Sequence, residues 1–295
     1  MFIDIRDRPS IGHDDVLDLN FINSSAPCVF RKHFRQGLRS HIMEILDPLD
    51  IETERNGAIA ADGMRWFPKA RPQRMLRIFR SRLRTLDNAL KEIGRVKTVE
   101  RYLAPNFMAT SQECIVDYQG PEGRDLLLCG FQEYVAGSIV DPWTILDRSD
   151  LLPALYDGAA GPADGDAPPM NRWVRTVRQN AREFVARIKR MIVEAATIPD
   201  LAGAGNLIVT ASGETRLVDI NNISPVDFEG AIFLDEKGYP VCDKSIEALS
   251  LIEEKVAGQP IDKYNGLYKR FFDPVRWAAV KAREREFWNR IQNIA

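Results

Sequence analysis

IPDLAGAGNLIVTASGETRLVDINN, residues 198–222, is the stretch on which the reading of this chain turns. Upstream of it, Val174, Val177, Ala181, Phe184, Ile188 and Met191 recur at three- or four-residue spacing, which predicts a long amphipathic helix that Pro199 ends. Asp200 then opens a loop containing Gly203, Gly205 and Asn206. Two β-rich runs follow, NLIVT and TRLVDI, joined by Ala211-Ser212-Gly213-Glu214, and they predict a tight hairpin. Asp219 closes the second run and leads into Asn221 and Asn222. Carboxylate and amide oxygens at loop ends are the donors magnesium takes, being a hard cation, and phosphoryl transfer uses such ions to neutralise developing charge. Asp and Asn also favour turns for purely local reasons, because their side chains bond the nearby backbone.

Working outward, Leu83, Leu86, Leu90, Ile93, Val96, Val99 and Leu103 predict a helix, with Thr85, Asp87 and Asn88 near its start and Pro105 as its stop. NFMATS, CIVDY and LLLCGFQEYV read as strands, and QGPEGRD between the last two predicts a hairpin. MRWFPKA reads as a strand, whereas VFRKHF and HIMEIL near the N-terminus stay open between strand and helix. No strand is predicted from Ser138 to Thr197, and the Gly, Pro, Ala and Asp of residues 157–170 predict a loop. Beyond the hairpin, SIEALSLIEEKV and VRWAAVKAREREFWNRIQNI predict helices. The expectation is an α+β chain, strand-rich over residues 1–137 and helical over 138–295.

Bulk properties narrow the function classes. Hydrophobic residues at 45% and charged residues at 28% are ordinary for a soluble globular protein. No apolar run approaches the roughly 18 residues that span a bilayer. The N-terminus lacks the apolar stretch of a secretory signal, so a cytoplasmic protein without a membrane span is expected. A net charge of −2 argues against coating nucleic acid by electrostatics alone. The segment KARPQRMLRIFRSRLR, residues 69–84, is strongly basic and without an acid; it reads as a solvated helix face, a surface for a protein partner, or a patch that attracts ligand phosphates. The four cysteines form no CxxC pair, and the three histidines all lie in the first 41 residues. Chemistry must therefore rest on carboxylates, lysine, asparagine and backbone. No GxxxxGK[ST] run exists, and Ile208 stands where Gly203-Ala204-Gly205 would need a third glycine for a dinucleotide site.

The order Asp200, Asn206, hairpin, Asp219 resembles the protein-kinase-like superfamily, including its aminoglycoside and small-molecule kinase branches. In that family a helix leads to a catalytic-loop Asp, an Asn follows, and a second Asp after a hairpin binds magnesium. The 13-residue interval from Asn206 to Asp219 and the 19-residue interval from Asp200 to Asp219 are close to the family's spacing. The resemblance implies a two-lobed fold with ATP and magnesium as cofactors and a hydroxyl-bearing acceptor. It implies Asp200 as catalytic base or hydroxyl positioner, and Asn206 and Asp219 as metal ligands. It further implies that Gln132, Glu133, Tyr134 and Val135 form the hinge whose backbone meets adenine. Lys69, with Lys32 as a competitor, would reach the phosphates and pair with Glu92 on the long helix.

This chain departs from the family pattern at several points. The D-x-x-x-x-N loop is one residue longer here. Ile198-Pro199 stands in place of His-Arg, Asp219-Ile220-Asn221 in place of Asp-Phe-Gly, and no glycine-rich loop covers the phosphates. Two alternatives follow from the same residues. An ATP-grasp ligase would use Leu217-Val218-Asp219-Ile220-Asn221 and the 132–135 segment, but needs further strands between them. A pseudokinase-like protein would bind a nucleotide or a partner without turnover.

Overall fold

The computed structural model describes residues 3–23, 26–34, 39–144, 150–160, 168–264 and 266–292. The chain is a mixed α+β protein that divides into two compact units, Met1–Gly94 with Thr110–Tyr134, and Arg95–Ala109 with Val135–Ala295. The expected division fell after residue 137; the observed one falls at 134 and also assigns 95–109 to the second unit.

In the first unit a five-stranded antiparallel sheet is ordered β1-β2-β5-β7-β6, with β1 Val29–Lys32, β2 Ser40–Leu46, β5 Arg74–Phe79, β6 Ser111–Gly120 and β7 Gly123–Glu133. A minor ladder joins β3 Ala58–Ile59 to β4 Arg65–Trp66. The two open segments, VFRKHF and HIMEIL, thus resolve as strands. Alternation along β5 decides what each face buries. Leu76 and Ile78 pack with Ile5, Ile11, Val16 and Leu19 from the N-terminal segment, which carries α1, His13–Leu17. Phe79 points to the opposite face with Leu83, Ala89 and Ile93, the last two on α3, Leu86–Leu103. Helix α2, Pro48–Asn56, begins where the Asp47 carboxylate accepts the Leu49 N–H and Pro48 presets the first turn.

The basic 69–84 segment is not a helix face. Its centre is β5, flanked by ladders on both sides, and strand alternation sends its cations to different places. Arg74 is exposed, Arg77 is buried, Arg80 donates to the Arg6 carbonyl, and Arg82 pairs with Asp7 and Asp4.

The second unit has its own core, built on α5, Met170–Ala195: Val177, Ala181, Phe184, Ile188 and Met191 of the expected stripe are buried, whereas Val174 is half-buried and its neighbour Trp173 takes the buried place. A second buried helix, α6 Val241–Leu251, continues into a π-helical turn, Ile252–Val256. Helices α4 Leu151–Ala160, α7 Gly266–Phe271 and α8 Pro274–Gln292 complete it. The helix α4 overlaps the loop expected at 157–170, of which 161–167 lie outside the described residues. Strands here are short. β8 Ser138–Ile139, absent from the expectation, pairs with β10 Leu207–Val209, which pairs with β11 Thr215–Leu217. β9 Thr197–Pro199 pairs with β12 Ile223–Pro225. A Cβ on Gly137 would sit 2.2 Å from the Val209 carbonyl oxygen, so only glycine lets the chain enter β8 beside β10. Among the described residues no helix is long and apolar enough to cross a membrane.

Candidate functional site

The site is made by two short antiparallel ladders that bring three loop ends together in the second unit. Helix α5 ends at Ala196 in the left-handed region, φ 46°, and the chain turns at once into β9. Pairing of Pro199 with Ile223 continues one step further, where the Asp200 N–H donates to the Asn222 carbonyl at 2.8 Å. The β10–β11 hairpin starts from Asn206, whose carbonyl accepts the Val218 N–H at 2.8 Å. Asp200, Asn206 and Asn222 are therefore fixed by backbone pairing before any side chain acts, and Asp219 follows the paired Val218.

Their side chains then close the loop. The Asn206 Nδ2 donates to the Asp200 carbonyl at 2.9 Å. A Cβ on Gly203 would come within 2.4 Å of that Nδ2, so the glycine is the space through which the amide crosses the loop. Gly205, at φ 94°, supplies the left-handed turn before Asn206. The Asp200 Oδ1 accepts the Ala202 and Gly203 N–H groups at 2.9 and 3.1 Å, and Oδ2 accepts from Asn222 Nδ2 at 3.3 Å.

Asp200 is half-buried as a residue, yet its carboxyl group lies deep. Burial pushes its pKa up from 3.8 to about 6, with the nearby Asp219 charge as the second cause; the three hydrogen bonds oppose both without cancelling them. A carboxylate poised near neutrality at a loop end suits proton transfer.

Among the described residues no three His, Cys, Asp or Glu side chains gather as a self-sufficient metal cage. Magnesium does not require one, since it commonly takes one or two protein oxygens and completes its octahedron with water and substrate phosphates. Two such oxygens are offered here. Because Asn206 Nδ2 is committed to Asp200, the amide orientation is set and Oδ1 is left to accept. Asp219 spends Oδ1 on the Asn221 N–H at 3.0 Å, and its other oxygen has no hydrogen-bond donor among the described residues. A carboxylate and an amide oxygen are the donor types that a hard divalent cation takes.

The remaining expected residues are described within their own units. Val135 belongs to the second unit, and Lys69, Lys32, Glu92, Gln132, Glu133 and Tyr134 to the first. Lys32 is exposed on the edge strand β1, and Lys69 is exposed in the segment before β5, its Nζ 5.8 Å from the Phe34 ring centroid. Glu92 is half-buried on α3. Gln132 lies on β7 between Met75 and Ser111, and the Glu133 N–H donates to the Thr110 carbonyl, so neither offers a free amide proton to a ligand. Tyr134 and Val135 follow the end of the strand.

Sequence reading missed two features. Arg77 and Glu113 form a fully buried ion pair, 1% and 0% exposed, at 2.6 Å, with Ser111 Oγ also accepting from Arg77 at 2.6 Å. Gly130 stands between them on β7, where a Cβ would come 3.0 Å from Arg77 Nη2. Alternation in RMLRIF, which puts Arg77 on the face of Met75 and Phe79, was the available signal. The second feature is the bracing of the Asp200 loop by Ser245 and Trp143: Leu201 N–H donates to Ser245 Oγ at 3.1 Å, and Trp143 Nε1–H donates to the Ala202 carbonyl at 2.7 Å. Both are far in sequence and carry no motif. No known protein family matches the chain, and no curated protein does either.

Proposed function

We propose that the chain is an ATP- and magnesium-dependent phosphotransferase that moves a phosphoryl group to a hydroxyl acceptor, with a two-lobed arrangement of the kinase-like type. The observation that carries this reading is the closure of the 200–206 loop by Asn206 and its pinning beside Asp219. That arrangement presents one general-base carboxylate and two metal-seeking oxygens on adjacent loop ends, which is the division of labour phosphoryl transfer needs. Asp200 accepts the acceptor's hydroxyl proton as the hydroxyl oxygen bonds the γ-phosphorus of ATP and the bond from that phosphorus to the bridging oxygen breaks, ADP leaving with the electron pair; the raised pKa of Asp200 matches that task near neutral pH. Asn206 and Asp219 would hold magnesium, which when bound supplies positive charge against the phosphate oxygens. Asn222, donating to Asp200 Oδ2, orients the base.

The succession of an antiparallel five-stranded sheet and a helical unit supports the kinase-like form. The ligase alternative calls for further strands between residues 141 and 197, where the described residues form α4 and α5. In the full-length protein, ATP with magnesium should raise the melting temperature, and Asp219→Ala should remove that rise. Asp200→Ala should keep the rise and lose ADP formation with hydroxyl acceptors. Wild-type protein whose melting is indifferent to ATP and magnesium would falsify the proposal. ADP formed only when a carboxylic acid and an amine are both present would favour the ligase, and a binding shift without ADP formation from any acceptor would favour a nucleotide-binding protein without turnover.

A further inference from the structure

Asp200 is stabilised by peptide groups that are themselves held from behind, and the holders can be traced atom by atom. The Ala202 carbonyl and the Gly203 N–H belong to one peptide plane. Its N–H donates to Asp200 Oδ1 at 3.1 Å, while its oxygen accepts the Trp143 Nε1–H at 2.7 Å. The Asp200 carbonyl and the Leu201 N–H form another plane, at the start of the loop. Its oxygen accepts from Asn206 Nδ2 at 2.9 Å, and its N–H donates to Ser245 Oγ at 3.1 Å. Each plane is thus gripped at both ends. A donor on a peptide oxygen polarises the N–H of the same plane, so the two bonds reinforce one another.

Trp143 is in turn fixed from its ring face. The Lys244 Nζ lies 4.2 Å from the ring centroid, and Lys244, 2% exposed, is locked by ion pairs to Glu247 and, at 3.0 Å, to Glu284 of α8. A cation against the indole face draws electron density from the ring and makes its N–H a better donor. Ser245, the next residue of α6, is fully buried. One turn of α6 therefore supplies both supports, Ser245 directly and Lys244 through Trp143.

We propose that Trp143 is a positioning residue for phosphoryl transfer: acting through the Ala202–Gly203 peptide, it holds the Asp200 carboxylate in its working orientation. The assignment rests on the phosphotransferase reading for its catalytic meaning, but the clamp itself is observable without turnover. Trp143→Phe keeps an aromatic ring and removes the donor. In amide spectra of the deuterated full-length protein, the Gly203 proton should move upfield in Trp143→Phe while Leu201 stays. Ser245→Ala should do the reverse, moving Leu201 and sparing Gly203. In turnover assays Trp143→Phe should lower kcat roughly tenfold, the worth of one hydrogen bond in the transition state, and leave the KM for ATP within about twofold.

An unmoved Gly203 amide in folded Trp143→Phe would overturn the proposal, as would an unchanged kcat. So would a KM for ATP rising in step with the fall in kcat, or both amides shifting alike in both variants, since each marks general loosening of the unit. A wild-type protein without turnover would overturn the catalytic meaning along with the phosphotransferase reading, and the Gly203 shift would then report the clamp alone.

Discussion

Replacing Asp200 by asparagine tests the burial of its carboxylate without recourse to any substrate. In the folded chain the group titrates near 6, against 3.8 when unperturbed, because burial and the Asp219 charge both disfavour ionisation. The folded state therefore holds the proton more tightly than the unfolded state. At about 1.4 kcal/mol per pKa unit, ionising Asp200 costs the fold about 3 kcal/mol. The sign follows from which state binds more protons. Below about pH 3 both states are protonated and nothing is lost. From about 4 to about 6 the wild type loses stability as pH rises, and above about 6 the full cost persists.

Asp200→Asn mimics the protonated form and does not titrate. Its amide oxygen can still accept from Ala202 and Gly203, but its nitrogen would face the Asn222 Nδ2 that now donates to Oδ2 at 3.3 Å, so Asn222 has to turn over. That adjustment adds an offset independent of pH, and the pH-dependent part is the test. Urea denaturation of both proteins from pH 4 to pH 8 should show the variant gaining on the wild type by about 2.5 kcal/mol across the range, with most of the gain accrued by pH 6.5. Titrating groups that do not interact with Asp200 cancel in the difference. Asp219→Asn in the same series should shrink the gain, since it removes the second cause of the shift. A difference that stays flat from pH 4 to pH 8 would refute the buried-carboxylate reasoning.

Three other outcomes are expected. Gly203→Ala places a Cβ within 2.4 Å of Asn206 Nδ2; the amide must leave the Asp200 carbonyl, at a cost of about 1–3 kcal/mol in chemical denaturation and with weaker magnesium dependence of ATP binding. Arg77→Met strands Glu113 in the sheet interior and should cost about 3–5 kcal/mol, whereas Arg77→Met with Glu113→Leu should recover most of it; equal losses in both variants would show that shape, not charge, governs the site. Magnesium at saturating ATP should stabilise the wild type by about 2.7 kcal/mol when ATP is a hundredfold above its Kd, and thermal melts of Asp219→Ala should show none of that gain.

What the sequence made legible follows from where the controlling interactions lie. The helices of α3, α5 and α8 and the hairpins β6–β7 and β10–β11 are written in local periodicity and turn residues, and the structure places them where those patterns fall. β8 escaped notice because two residues, Ser138 and Ile139, carry no alternation; their strand exists only because β10 lies beside them. The helix-face reading of the 69–84 segment fails for the opposite reason. Its arginines suggest one charged surface, but tertiary pairing makes Arg74–Phe79 an interior strand and buries Arg77 against Glu113, a partner 36 residues away. In the candidate site, the order of Asp200, Asn206 and Asp219 was legible because it is local. Trp143 and Ser245, 59 and 44 residues from their partners in the loop, are joined to it only by the fold.

Under the proposed kinase-like reading the loop from Asp200 to Asn206 is one residue longer than D-x-x-x-x-N, and its contacts suit such a change of length. A loop closed by a side chain has to keep the closing contact, not a fixed count of residues. Here the Asn206 amide still reaches the Asp200 carbonyl from six residues on, because Gly205 takes the left-handed turn and Gly203 leaves room for the crossing. The ends are held independently, by the Asp200 N–H on the Asn222 carbonyl and the Val218 N–H on the Asn206 carbonyl, so the lengthening is absorbed between two fixed points. Ser245 and Trp143 grip peptide planes between Asp200 and Gly203, which leaves the slack at Ala204, the exposed residue of the loop. Deleting Ala204 should therefore be tolerated in folding, and Asn206 should keep its bond to Asp200 only if Gly205 is retained. A deletion variant that melts with the wild type and still responds to magnesium and ATP would support this account. One that loses the response while keeping its fold would mean that the extra residue sets the spacing of the metal oxygens.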